Sequence, residues 1–243
     1  MTPGRDRRAS WGFRLTPGGG FGNTCVRGDH GRTPQHNGAT PFVVGYLARI
    51  CPEKGLHVLI EAFHLLTQKL GRPAVRLKVA GYLGKRDKKY FETLVKQIET
   101  WGLQEAFEYH GEVDRQHKIN FLSSLDVFSV PTIYQESKGL SILEALANGV
   151  PVVQPRHGTF PEMVSLTQGG LLVEPKSAAA LANGILELYN DPARRAKLGQ
   201  QGQAAVRREF NDKKMAETTA EVYRKYVSPR NLVAREVISV SGS

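Results

Sequence analysis

The chain has 243 residues, 40% hydrophobic and 23% charged, which suits one large or two small domains and excludes a bilayer span. Residues 1–40 supply +4 of the +10 net charge; the rest is spread over helices of alternating sign, and RNP-type motifs and zinc-finger spacings are absent, so no nucleic-acid partner is expected. Cys25 and Cys51 are too few for a disulfide framework or a cysteine-built metal site, and no apolar signal opens the chain, so a reducing, cytoplasmic setting is expected.

Residues 1–40 hold nine glycines and six arginines with little hydrophobic periodicity, the composition of a flexible arm. From Pro41 the texture changes, and residues 41–227 read as one α/β domain. "FVVGYL" (42–47) predicts a buried strand, followed by an amphipathic helix over 53–70 with Leu56, Leu59, Ile60, Phe63 and Leu70 on one stripe. "VRLKVAG" (75–81) is a second strand, and the next helix carries Phe91, Leu94, Val95, Ile98 and Trp101. Further strands fall at 106–111, 126–131, 151–155 and 170–175. Helical stretches near 177–189, 192–208 and 212–226 come last, expected to pack over the sheet edge or to return toward a neighbouring domain. The tail 228–243 carries no assignment. Strands alternating with helices imply a Rossmann-like, doubly wound parallel sheet covered on both faces.

Such a sheet binds ligands at the carboxyl ends of its strands, so the strand-to-helix turns hold the chemistry. No GxGxxG or GxxxxGK[ST] follows any strand, against a dinucleotide oxidoreductase and a P-loop NTPase. The first turn reads "GYLARICPEKG", with Gly45 in the strand, Arg49 at its end and Lys54 where the helix begins. Two cations beside the unpaired N–H groups of a helix form a diphosphate clamp; the alternative is two solvated loop residues.

The second turn, "TIYQESKGLSILEALANG", has the same logic. Gly139 begins a helix whose Gly139, Leu140 and Ser141 N–H groups are placed to receive an anion. Glu136 lies before that helix and Glu144 inside it, and eight helical residues span ~12 Å, close to the length of a sugar–diphosphate–ribose unit. Spacing alone does not separate a ligand pair from two solvated charges, because Glu53 and Glu61, and Glu209 and Glu217, have the same separation.

From about Phe42 to Val227 the chain resembles the C-terminal, donor-binding domain of the retaining GT-B glycosyltransferases of family 4, the glycosyl transferases group 1. The resemblance rests on "GYLARICPEKG", "LKVAG", "YHGEV", "LDVFSVPTIYQESKGLSILEALANGVPVV" and "GGLLVEP" in that order. Glu136 and Glu144 match the family's E-x7-E pair. The resemblance implies that Glu144 binds the ribose hydroxyls and Glu136 the donor sugar near its anomeric carbon. It also implies that Arg49 and Lys54 neutralise the diphosphate leaving group, with no metal; no D-x-D occurs to hold one. Gly111 to Val113 are expected to face the base, and His157 is either a donor contact or a surface residue. Where the family often has a second glycine, "RHGTFPEMV" has Thr159, which departs from the usual sugar-binding loop.

The family's enzymes carry an N-terminal acceptor domain, and forty residues precede the first strand here, so that domain is expected to be absent from this chain, which is then a truncated gene product or a natural half that works with a separate acceptor domain. The expected partners are a nucleotide sugar and an acceptor, a saccharide or a lipid-linked one, with placement in the cytoplasm or at the inner membrane face. The rival readings are a non-catalytic nucleotide-sugar-binding fragment and a sugar-nucleotide epimerase-like protein.

Overall fold

The computed structural model describes residues 40–227, so the expected tail and all of the arm but Thr40 lie outside the described residues. Six parallel strands form one sheet: β1 (Phe42–Leu47), β2 (Val75–Ala80), β3 (Phe107–Tyr109), β4 (Val127–Phe128), β5 (Val152–Pro155) and β6 (Gly170–Val173). Their order is β3-β2-β1-β4-β5-β6, the doubly wound arrangement anticipated from the alternation of strands and helices. The order reverses between β1 and β4, so the turns leaving these two strands diverge around a crevice.

Strand β1 pairs along its whole length with β2, from Phe42 opposite Val75 to Leu47 opposite Ala80. Strand β1 is covered on both faces and its sequence is a near-continuous apolar run, whereas β2 alternates, with Arg76 exposed and Lys78 partly buried between apolar residues. Strand β4 is shorter than its apolar stretch, although Asp126 N–H to Val43 O (2.9 Å) and Ser129 N–H to Gly45 O (3.0 Å) extend its contact with β1.

The helices are α1 (Leu56–Leu70), α2 (Lys88–Thr100), α3 (Arg115–Ser123), α4 (Leu140–Ala147), α5 (Phe160–Thr167), α6 (Ala178–Asn190), α7 (Pro192–Glu209) and α8 (Asp212–Tyr226). The stripe expected on the first helix is buried at Leu56, Leu59, Ile60 and Phe63. Its start differs from expectation: Pro52–Lys54 form a 3-10 turn, and α1 begins only after Gly55 at φ 72°. A left-handed residue breaks the helical hydrogen-bond ladder, so the turn and the helix are separate elements.

Helix α6 packs on α1 and beside β5 and β6, and α7 lies against α4 and α5. Helix α8 differs from its two predecessors and buries none of its residues. Its Met215, Tyr223 and Tyr226 are each about two-thirds exposed.

Candidate functional site

Two loops meet outside the carboxyl ends of β1 and β4. The first, Ala48 to Gly55, carries Arg49 and Lys54; the second, Ser129 to Gly139, carries Tyr134 and Glu136. Backbone contacts fasten them together. Ile133 N–H donates to Glu53 O at 3.0 Å, and Gly55 lies so close to Pro131 that a Cβ would stand 1.8 Å from its carbonyl oxygen. The loop after β5 closes the third side, with Thr159 N–H donating to Glu136 O at 2.8 Å and His157 Nε2 to Thr132 O at 2.9 Å.

Lys54 and Glu136, 82 positions apart in sequence, meet as a direct ion pair. Lys54 Nζ also donates to Tyr134 Oη at 2.7 Å, and Tyr134 Oη donates to Glu136 Oε2 at 2.9 Å. The other carboxylate oxygen accepts the N–H groups of Ser137 (3.2 Å) and Lys138 (3.3 Å). The Glu136 side chain is 12% exposed and that of Lys54 22%.

Burial alone would raise the Glu136 carboxyl, but Lys54, the Tyr134 hydroxyl and the Lys138 N–H outweigh it and hold the pKa at about 2. Burial likewise opposes the charge on Lys54, and Glu136 with Tyr134 overcomes it and raises the ammonium. A depressed carboxyl pKa contributes stability above the ordinary carboxylate range, lost only as pH falls through about 2. The pair therefore stays ionised across the physiological range.

Arg49 is exposed, and its Nε donates to the Cys51 thiol sulfur at 3.3 Å. That contact raises the guanidinium further, so Arg49 brings a permanent positive charge to the first loop. The structure thus brings Lys54 to Glu136, with Arg49 exposed on the same turn.

Gly139, buried and at φ 58°, caps α4. A Cβ there would meet Met163 Sδ at 2.8 Å, so the glycine lets α4 start hard against α5. The first bond of α4 is Ile142 N–H to Gly139 O, which leaves the Gly139, Leu140 and Ser141 N–H groups ahead of the ladder. Glu144 lies further along α4, half exposed, and its Oε1 accepts from Lys118 Nζ of α3 at 2.5 Å.

Other expected residues sit differently. Gly45 lies inside β1, where a Cβ would overlap the Leu125 side chain at 2.1 Å, so close packing alone accounts for it. Gly111 ends the β3 turn with its carbonyl accepting Gly81 N–H at 2.7 Å, and Val113 packs partly against the core. Thr159 adopts φ −77°, ordinary helical backbone, so a glycine is not needed there for conformation.

Tyr134 and Lys118 escaped the sequence reading. Tyr134 is quoted in the loop motif, but nothing in a lone tyrosine marks its bridge between Lys54 and Glu136. Lys118 sits on a helix of weak periodicity, and its partner is 26 positions away. Among the described residues no group of three or more His, Cys, Asp or Glu side chains could hold a metal ion, and no helix is long and apolar enough to cross a membrane.

Residues 32–205 match the family described as glycosyl transferases group 1. A GDP-mannose-dependent monoacylated alpha-(1-6)-phosphatidylinositol monomannoside mannosyltransferase of Corynebacterium glutamicum is 30% identical over 200 residues, 76% of this chain and 50% of its own length. A D-inositol 3-phosphate glycosyltransferase of Arthrobacter is 34% identical over 162 residues, covering 67% of this chain and 38% of its own. The chain thus spans about half the length, or less, of these curated relatives. Among solved structures, Anabaena HepE in complex with UDP and glucose superposes with a TM-score of 0.68 at 27% identity, covering 75% of this chain and 49% of that one. The C-terminal domain of a group 1 family protein, LpcC of Francisella tularensis, gives a TM-score of 0.63 at 27% identity, covering 70% of this chain and 87% of that domain.

Proposed function

The chain belongs to the glycosyl transferases group 1 family, and from that premise we propose that it is the donor-binding half of a retaining, metal-independent hexosyltransferase of family 4. The observation that carries the reading is the meeting of Lys54 and Glu136 at the switch point of the sheet, beside the start of α4. Two cations, Lys54 and Arg49, take the diphosphate, and the Gly139, Leu140 and Ser141 N–H groups add partial positive charge. Glu144 accepts the ribose hydroxyls, oriented by Lys118, and Glu136 lies by the donor sugar. Gly111 and Val113 border the base. The acceptor, a saccharide or a lipid-linked one, comes from the side of an N-terminal acceptor domain, at the cytoplasmic face of a membrane or in solution.

In the reaction the bond from the anomeric carbon to the diphosphate oxygen breaks, and the electron pair leaves with the diphosphate. Lys54 and Arg49 stabilise that growing negative charge, an interaction stronger in the transition state than before it. The Glu136 carboxylate stabilises the positive charge that grows on the sugar carbon. The acceptor hydroxyl then attacks from the face the diphosphate has left, passing its proton to the departing diphosphate oxygen, which retains configuration.

The full chain should bind a nucleoside diphosphate in the presence of a chelator. Relatives are named for GDP-mannose or hold UDP, so calorimetry with UDP, GDP and ADP spans the choice of base. A folded sample that binds none of the three would overturn the reading.

A second expectation separates the two carboxylates. Glu144→Ala should weaken nucleoside diphosphate and nucleotide sugar alike by about 1.5–3 kcal/mol, the value of a charge-assisted hydrogen bond. Glu136→Ala should weaken only the sugar-bearing ligand. Equal responses of both ligands to both substitutions would show that the two ends are wrongly assigned.

A further inference from the structure

Within that reading, and resting on it, we propose that the Glu136 carboxylate competes with the donor's diphosphate for Lys54. This one side chain then sets the preference of the site for a nucleotide sugar over the nucleoside diphosphate that transfer leaves behind.

The geometry states the conflict. An ammonium has three hydrogens, and in Lys54 one points to Glu136 and another to Tyr134 Oη. A phosphate oxygen that takes the remaining one comes to rest beside a carboxylate. Like charges at such range, in a cleft where Glu136 retains only 12% exposure, repel strongly. The pair is also neutral in sum, so Lys54 offers little net attraction to an anion while Glu136 holds it. Relief requires Lys54 to turn toward the phosphate and Glu136 to find another partner.

A bare nucleoside diphosphate supplies none. It takes the ammonium and leaves Glu136 with only Tyr134 Oη and the two N–H groups of Ser137 and Lys138. With Lys54 drawn off, the contacts that hold the carboxyl low shrink to Tyr134 and the Lys138 N–H, and burial then works against the charge. A nucleotide sugar brings hydroxyl groups that donate to the carboxylate in place of Lys54. The exchange of partners is then complete, and the ion-pair energy given up is returned by the sugar. After transfer those hydroxyls depart with the acceptor, and Glu136 reclaims Lys54 and helps expel the diphosphate product.

The test compares wild type, Glu136→Gln and Glu136→Asp as full chains, each with inorganic pyrophosphate, the matching nucleoside diphosphate and its sugar derivative. Glutamine keeps the shape and an oxygen for the Ser137 and Lys138 N–H groups but no charge. It should bind pyrophosphate and nucleoside diphosphate about fivefold more tightly than wild type, while the advantage of the sugar-bearing ligand shrinks. If circular dichroism shows Glu136→Gln misfolded, Glu136→Asp decides, because its shorter side chain withdraws from Lys54 and should tighten pyrophosphate in the same direction. Affinity for pyrophosphate and nucleoside diphosphate that is unchanged or weaker in the folded variant overturns this inference alone. A wild-type chain that binds no nucleotide overturns the reading and the inference together.

Discussion

Replacing Gly55 by alanine is expected to lower the unfolding free energy by at least ~3 kcal/mol, whereas the same change at Gly111 should cost only about 1 kcal/mol. The two glycines have nearly the same backbone, φ 72° and φ 68°. Both variants therefore pay the left-handed penalty of ~1–2 kcal/mol, offset in part by the lower entropy of an unfolded chain with alanine. They differ in space. A Cβ at Gly111 meets nothing within 4 Å, and one at Gly55 would stand 1.8 Å from Pro131 O and 2.7 Å from its carbonyl carbon. Backbone cannot rotate away as a side chain does, so the Glu136 loop must move off the Lys54 turn. The added loss thus falls on the contact that builds the site, and nucleoside diphosphate affinity should fall with it in Gly55→Ala but not in Gly111→Ala. Denaturant unfolding of the two variants measures the difference, and equal costs within ~0.5 kcal/mol would mean that the loops are not held by this approach.

The same glycine marks where the sequence stops being informative. "PEKGLHVLIEAF" reads as one amphipathic helix because the apolar stripe runs through it, and an isolated glycine is tolerated in such a pattern. What breaks it is a neighbour 76 positions away, Pro131. By contrast β1 and β2 were legible to within a residue, β1 because a strand buried on both faces is apolar throughout and β2 by its alternation of apolar with charged residues. The doubly wound parallel class followed from the alternation of strands and helices, a local rule, while the order of the strands came with the structure.

Within the candidate site the legible part was again local. Glu136 stood out by its place in a strand, loop, glycine, helix succession, and Arg49 and Lys54 by theirs. That Lys54 would be paired with Glu136 was not visible, because it depends on how two loops fold over the sheet's switch point. Tyr134 and Lys118 belong to the same class. Each is an ordinary residue in the sequence that gains meaning from a partner carried in on another element.

The buried pair Asp126 and Arg195 also joins residues far apart in sequence, and removing its cation should be costly without touching the ligand. Arg195, on α7, is 2% exposed, and Asp126, just before β4, is 7% exposed. Their nearest atoms are 3.9 Å apart, with Arg195 Nη1 donating to Leu188 O at 2.8 Å and the guanidinium 5.2 Å from the Phe42 ring centroid. Asp126 Oδ2 accepts Val43 N–H at 2.8 Å. Burial lowers the guanidinium's hold on its proton and the Asp126 charge opposes this, yet an arginine remains charged. Arg195→Met removes one buried partner of Asp126 together with the Leu188 and Phe42 contacts, for which about 3 kcal/mol of lost stability is expected. Arg195→Met combined with Asp126→Asn should cost less than the two single changes added together, by ~1–3 kcal/mol, because asparagine carries no charge to strand. All these groups lie at the amino-terminal edge of β1 and β4, the opposite end from the loops of Lys54 and Glu136. Folded Arg195→Met should accordingly keep its nucleoside diphosphate affinity within about twofold, where Gly55→Ala loses affinity and stability together. Strict additivity in the double variant would show that the pair is not coupled, and weakened ligand binding in Arg195→Met would show that the two ends of the sheet are.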